Sequence, residues 1–172
     1  MRITSLERYG LRCMITLANK EPGGQLSIPE IAELEGLSVP YVSKLLSVLR
    51  KAGLVTAVRG RGGGFGVSRK LKDITLLDIL TALDGPFLPP DHCTKFTGQR
   101  EECVHIDSCS VYDVLNNLAV LIESALKKTT LESLINSNSS SCSSSSPIFT
   151  ESLIAGIKLP SSNKTLTIDD NQ

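Results

Sequence analysis

The sequence predicts a mainly α-helical fold with one small β-hairpin, and three observations carry that expectation. Two helical segments, each opened by its own start signal, meet at a glycine turn between residues 27 and 53. Directly after them the apolar period changes around a run of glycines at residues 60 to 64. Further on, Val111, Val114, Leu115, Leu118, Leu121, Ile122 and Ala125 recur at helical spacing as one wide apolar stripe.

Taken in order, Thr4-Ser5-Leu6-Glu7 forms a capping box, so a first helix is expected from Ser5 to Asn19 with Leu6, Tyr9, Cys13 and Leu17 on its inner side. Glu21-Pro22-Gly23-Gly24 ends it. Ser27-Ile28-Pro29-Glu30 is a second capping box with proline in the first turn, opening a short helix through Leu34. Gly36 turns the chain, and Ser38 caps a third helix that carries Pro40 in its first turn and Leu45, Leu46 and Leu49 on its inner face; Gly53 closes it. Leu54 to Val58 and Phe65 to Ser68 read as two short strands joined by Gly60-Arg61-Gly62-Gly63-Gly64. Short helix, glycine turn, longer helix and then a hairpin make a winged helix-turn-helix. Thr75-Leu76-Leu77-Asp78 starts a fourth helix, which Gly85-Pro86 stops. Residues 86 to 109 show no sustained period and hold three prolines and three cysteines; a loop that long inside a compact domain is functional or disordered. Ser110-Val111-Tyr112-Asp113 caps the longest helix, to Lys128, and Thr129-Thr130-Leu131-Glu132 restarts a short one. From Asn136 the chain is Ser-rich and expected to be disordered.

The net charge of zero conceals a division. Residues 1 to 72 hold twelve Lys and Arg against five Glu, a surplus of seven positive charges, and the remainder carries the balancing seven negative ones. A basic half on an acidic half is the footprint of a nucleic-acid module joined to something else. No apolar run approaches the roughly 20 residues of a membrane span, and the opening MRITSLERYG has charges where a secretory leader needs apolar residues. The expectation is a soluble, cytoplasmic protein that does not engage a membrane.

In a helix-turn-helix the second helix enters the major groove by its N-terminus. Here that start is Ser38, Val39, Pro40, Tyr41, Ser43 and Lys44. Ser43 and Lys44 offer hydrogen bonds to base edges, Val39 or Pro40 suits a thymine methyl, and Tyr41 can donate to a phosphate. Arg50 and Lys51 are placed to clamp the DNA backbone. Arg59 and Arg61 stand at the glycine-rich tip of the hairpin, a shape suited to a narrow, electronegative minor groove. A phosphate-binding P-loop is excluded, because no Gly-Lys-Ser/Thr is present and no helix follows. An enzyme is not expected: there are two histidines, and neither stands in a nucleophile or metalloprotease motif.

The five cysteines divide by context. Cys13 belongs to an apolar stripe and Cys142 to the serine tract. Cys93, Cys103 and Cys109, spaced by nine and five residues, share one polar loop and are able to converge on one metal. Thiolates favour iron–sulfur clusters, zinc or copper(I); the paired Cys-x2-4-Cys knuckles of a tetrahedral zinc site are absent.

The stretch MRITSLERYGLR, the helix from Ser38 to Arg50, VRGRGGGFGVSR and the cysteine loop followed by a long helix closely resemble the Rrf-two type transcription regulators over about residues 1 to 135. The resemblance implies a homodimer joined through the long helix, binding a double-stranded DNA operator and working with RNA polymerase. It implies a winged helix-turn-helix at 1–84, a cluster loop at 85–109 and a dimerisation helix with a short following helix at 110–135, leaving 136–172 as tail. It also implies an iron–sulfur cluster, [2Fe-2S] or [4Fe-4S], on Cys93, Cys103 and Cys109. Where some members place a histidine three residues beyond the last cysteine this chain has Tyr112, and where others place an acidic residue near the N-terminus it has Arg8. Candidates for the fourth ligand are His105, His92, Asp113 or Glu7 of the partner subunit. The alternative is a cluster-free repressor governed by a protein partner or by thiol oxidation.

Overall fold

The computed structural model describes residues 3–20, 24–60, 62–89, 91–95, 97, 99–105 and 109–137. The expected tail and Cys142 lie outside these residues, as does Arg61.

The element order is α1 (Ser5–Ala18), α2 (Ile28–Glu35), α3 (Val39–Lys51), β1 (Val55–Val58), β2 (Gly64–Val67), a 3-10 turn (Leu71–Asp73), α4 (Leu76–Asp84), α5 (His92–Lys95), α6 (Ser110–Lys128) and α7 (Leu131–Ser137). The mainly helical architecture with one hairpin is the expected one. Three helices start where the sequence marks them, because Thr4, Ser27 and Thr75 each take up a reciprocal capping box with Glu7, Glu30 and Asp78. In the first, the Thr4 N–H donates to Glu7 Oε2 at 2.7 Å while the Glu7 N–H donates back to the threonine hydroxyl at 3.2 Å. Gly36 and Gly53 end α2 and α3 at φ of 64° and 69°, a conformation that costs other L-residues energy.

Sixteen buried residues form one core, drawn from α1, α2, α3, the start of the hairpin and α4. Met14, Ile31, Val42, Leu45, Leu46, Leu49, Ile74 and Ile79 are completely buried. Gly10 marks a close crossing: a Cβ there would stand 2.6 Å from both terminal carbons of Leu83, so a larger residue would make that side chain move where α1 meets α4. Further along α1, Arg12 Nε lies 2.6 Å from Glu35 Oε2, and the Thr16 hydroxyl donates to the other oxygen of the same, nearly buried carboxylate. That pair ties α1 to the last residue of α2. Cys13, wholly buried beside it, has its thiol pKa pushed up to about 11, first by burial and then by the charge of Glu35.

The strands pair antiparallel with Val55 opposite Val67 and Val58 opposite Gly64. Leu26 adds a single bridge on the far side of β2, exchanging hydrogen bonds of 3.0 and 2.8 Å with Phe65. The C-terminal part returns to the head by a second isolated bridge, Thr75 with Thr130. There the Leu76 N–H donates to the Thr129 carbonyl and the Leu131 N–H to that of Ile74, both at 2.8 Å. Leu131 is completely buried in the common core.

The long helix α6 behaves differently. At about 1.5 Å per residue its 19 residues span about 28 Å, yet Ala119 is its one buried residue. Val111, Val114, Leu118 and Val120 stand 67, 66, 44 and 55% exposed. Its N-cap is Cys109 rather than the expected Ser110, because the Cys109 sulfur accepts the Tyr112 N–H at 3.3 Å. No helix among the described residues is long and apolar enough to cross a membrane.

Candidate functional site

The start of α3 carries the residues expected to read DNA. Ser38, Val39, Pro40, Ser43 and Lys44 are all exposed, as is Arg50 in the last turn, while Val42, Leu45, Leu46 and Leu49 take the buried side. Helical periodicity separates the two sets: a face that buries every third or fourth residue leaves the other face bare. Ser47, not singled out from the sequence, is also exposed and lies one turn beyond Ser43. Tyr41 is half-buried with its ring edge-on to Tyr9, centroids 6.0 Å apart. Its ring braces α3 against α1.

This helix also lacks the side-chain cap that α1, α2 and α4 possess, for the Ser38 hydroxyl makes no capping bond. Pro40 has no N–H and the Tyr41 N–H donates to the Ser38 carbonyl at 3.1 Å, so of the first three helical residues it is Val39 whose N–H, at the positive end of the helix dipole, is left to meet a phosphate. Arg50 and Lys51 occupy the last turn, where they also complement the negative end of the helix dipole.

The hairpin presents Arg59 and Gly60 as exposed residues beyond β1. Gly60 and Gly62 adopt φ of 122° and 79°, so the tip requires glycine for its backbone. The next two glycines serve the protein's own packing. A Cβ on Gly63 would lie 2.3 Å from the Val58 carbonyl oxygen, and one on Gly64 2.6 Å from that of Leu26. Close approach of backbone to backbone thus accounts for two of the four glycines at this tip.

Cys93, Cys103 and Cys109 are free and partly exposed. Among the described residues no three His, Cys, Asp or Glu side chains gather into a group able to hold a metal. The donor chemistry fits a sulfur-ligated iron centre, and the described arrangement of the loop does not assemble it. Of the fourth-ligand candidates, His105 and Asp113 are exposed. Glu7 is engaged in the capping box of α1, and the His92 side chain falls outside the described residues.

A family model described as Rrf2, iron-dependent transcriptional regulator, matches residues 3–137. The HTH-type transcriptional regulator IscR of Photorhabdus laumondii is 33% identical over 136 residues, covering 79% of this chain and 80% of that protein. Among solved structures, CymR, the global cysteine regulator of B. subtilis, superposes with a TM-score of 0.64 at 32% identity, covering 80% of this chain and 98% of its own. IscR of T. potens superposes with a TM-score of 0.65 at 29% identity, covering 85 and 93%.

Proposed function

This chain belongs to the Rrf2 family of iron-dependent transcriptional regulators, and from that premise we propose that it is a sequence-specific operator-binding homodimer whose grip on DNA is set by its cysteine segment. The observation that carries the reading is the uncapped, exposed start of α3 beside an arginine-bearing glycine hairpin, on the half of the chain with the positive surplus. Ser43 and Lys44 read base edges, the Ser38 hydroxyl and the Val39 N–H hold a phosphate, and Arg50, Arg59 and Arg61 contact the DNA backbone or minor groove. Two copies join through the bare apolar face of α6, placing their α3 helices about 34 Å apart, one turn of B-DNA.

Cys93, Cys103 and Cys109 would hold an iron–sulfur cluster, which supplies sensitivity to iron and redox state. The chain's own contribution is connectivity. Cys109 caps the helix that joins the copies, so a change in residues 85–109 alters the separation and tilt of the two α3 helices. The test is operator affinity of anaerobically purified protein before and after removal of iron, with iron and sulfide measured on the same samples. A change of about tenfold or more, abolished in Cys103→Ala, is the expected result; equal affinity with and without iron would refute it.

A second reading has its own observation, the separation of the three thiols among the described residues. Here thiol oxidation controls the protein with no cluster. Protein without iron or sulfide whose operator affinity changes on mild peroxide treatment, and recovers with a dithiol reductant, would establish this reading and exclude the first.

A further inference from the structure

A cavity of about 680 Å³ opens at the root of the hairpin, remote in sequence from the three cysteines. Its size lies within the ~300–1,000 Å³ of small-molecule sites. Its lining is charged unevenly: Lys20 just beyond α1, and Arg69, Lys70 and Lys72 beyond β2, face it with Glu132 of α7 as the one carboxylate. None of the four cations forms a salt bridge among the described residues, whose two ion pairs are Arg12 with Glu35 and Lys95 with Asp91. Like charges gathered around a concavity repel one another and draw in an anion, because the low-dielectric walls concentrate the field.

A second, independent feature belongs to the same lining. Gln25 carries a buried side-chain oxygen with no hydrogen-bond partner. Such a group costs about 1–3 kcal/mol when left unmatched, and a turn of the amide toward the cavity would let a ligand hydroxyl or amine satisfy it. Leu17, Val67 and Leu71 complete the cavity with apolar surface.

We propose that this cavity binds a small organic polyanion, a molecule bearing two or more carboxylate or phosphate groups on a short apolar frame. Duplex DNA is the less suitable occupant. Thr56, Gly66 and Val67, which line the cavity, pair at the end of the hairpin away from the Gly60–Gly63 turn, and a concave recess suits a small molecule better than a rod. The occupant touches both the hairpin, through Thr56 and Val67, and the start of α7, through Glu132. A ligand with unequal affinity for two arrangements of these elements shifts their balance, which gives the hairpin an input separate from the cysteines.

The test is calorimetric titration of the full chain with citrate and, separately, with inorganic pyrophosphate, alongside operator affinity measured without either anion. Saturable binding at one site per chain is expected. Citrate alone binding assigns carboxylates; pyrophosphate alone assigns phosphates. The double substitution Lys20→Gln, Lys72→Gln weakens binding about tenfold or more, with an unchanged thermal midpoint because neither lysine is in a salt bridge. Gln25→Leu weakens it too, with a midpoint that holds or rises because an unmatched polar atom is removed. Saturable binding of neither anion overturns the proposal. So does a double variant that binds both as tightly as wild type, or one that keeps anion binding and loses operator affinity, which would make the cations DNA clamps. Loss of operator binding by the wild-type chain without anion counts against the proposed function instead.

Discussion

The head, from α1 to α4, and the part that follows it, from α5 to α7, are built to different degrees of completeness. Fifteen of the sixteen residues in the common core belong to the head, and Leu131 alone comes from the later part. The head has capped helices, a bridged hairpin and an ion pair whose carboxylate is nearly buried. The later part has a 19-residue helix with one buried residue and four large apolar side chains in solvent, and it carries three free thiols. Exposed apolar surface of that kind marks an interaction face. The head holds its shape from its own contacts; the later part is shaped to be finished by something else.

Leu46→Ala should break the head outright. The side chain is completely buried in α3, and its removal costs about 2–5 kcal/mol, read as a fall in the thermal unfolding midpoint. The same core contributes nothing at Leu118, so Leu118→Asp should leave the helical content of the head intact and instead halve the particle mass in sedimentation. Operator affinity should drop with it by about a hundredfold or more, since each half-site then binds alone. If mass and affinity both stay at wild-type values, the bare face of α6 is not the contact between copies.

Smaller effects separate the two kinds of DNA contact within the head. Lys44→Ala should cost about 1–3 kcal/mol on the best operator and relax preference at one base position, whereas Arg59→Ala should weaken all sequences alike and lower the salt slope by about 1. Identical behaviour of the two variants in salt titrations of matched and mismatched duplexes would remove the distinction between α3 and the hairpin.

The smallest effect contrasts cysteines. The Cys13 thiol binds its proton more tightly in the folded chain, its pKa rising from 9.0 to about 11. Its contribution to stability is therefore complete below pH 9.0 and fades as pH climbs through about 11. Iodoacetamide near pH 8 should modify Cys93, Cys103 and Cys109 in the native protein and reach Cys13 only after unfolding; mass spectrometry of the labelled peptides checks this. Native labelling of Cys13 would mean that the core around α1 opens on its own.

What the sequence made legible was local. Capping boxes at Thr4, Ser27 and Thr75 act over three residues, and the bare and buried faces of α3 follow from helical period, so both could be read without coordinates. The bridge of Leu26 to Phe65, the return of Thr130 to Thr75 and the burial of Leu131 join residues far apart in the chain, and no local signal announces them. Ser110 suggested a cap where Cys109 serves, and the packing of Gly63 and Gly64 against neighbouring backbone gave no local sign, because composition reveals which conformations are allowed but not which neighbour fills the space. The cavity at the root of the hairpin was invisible for the same reason: Lys20, Gln25, Arg69, Lys72 and Glu132 meet only in the folded chain. The three cysteines were conspicuous by residue type, and their type alone does not bring their sulfur atoms together.

The bridge between Thr75 and Thr130 fixes one end of α6 to the head, while the other end begins at Cys109. Such a helix is a lever with its fulcrum at residues 129–131. A rotation of about 4° about that point, over an arm of about 28 Å, carries the cysteine end through about 2 Å, more than enough to change which sulfur atoms lie within bonding reach of one iron. Mechanical advantage runs in both directions along such an arm, so DNA that holds the heads at a fixed spacing would also bias what the cysteine end can grasp.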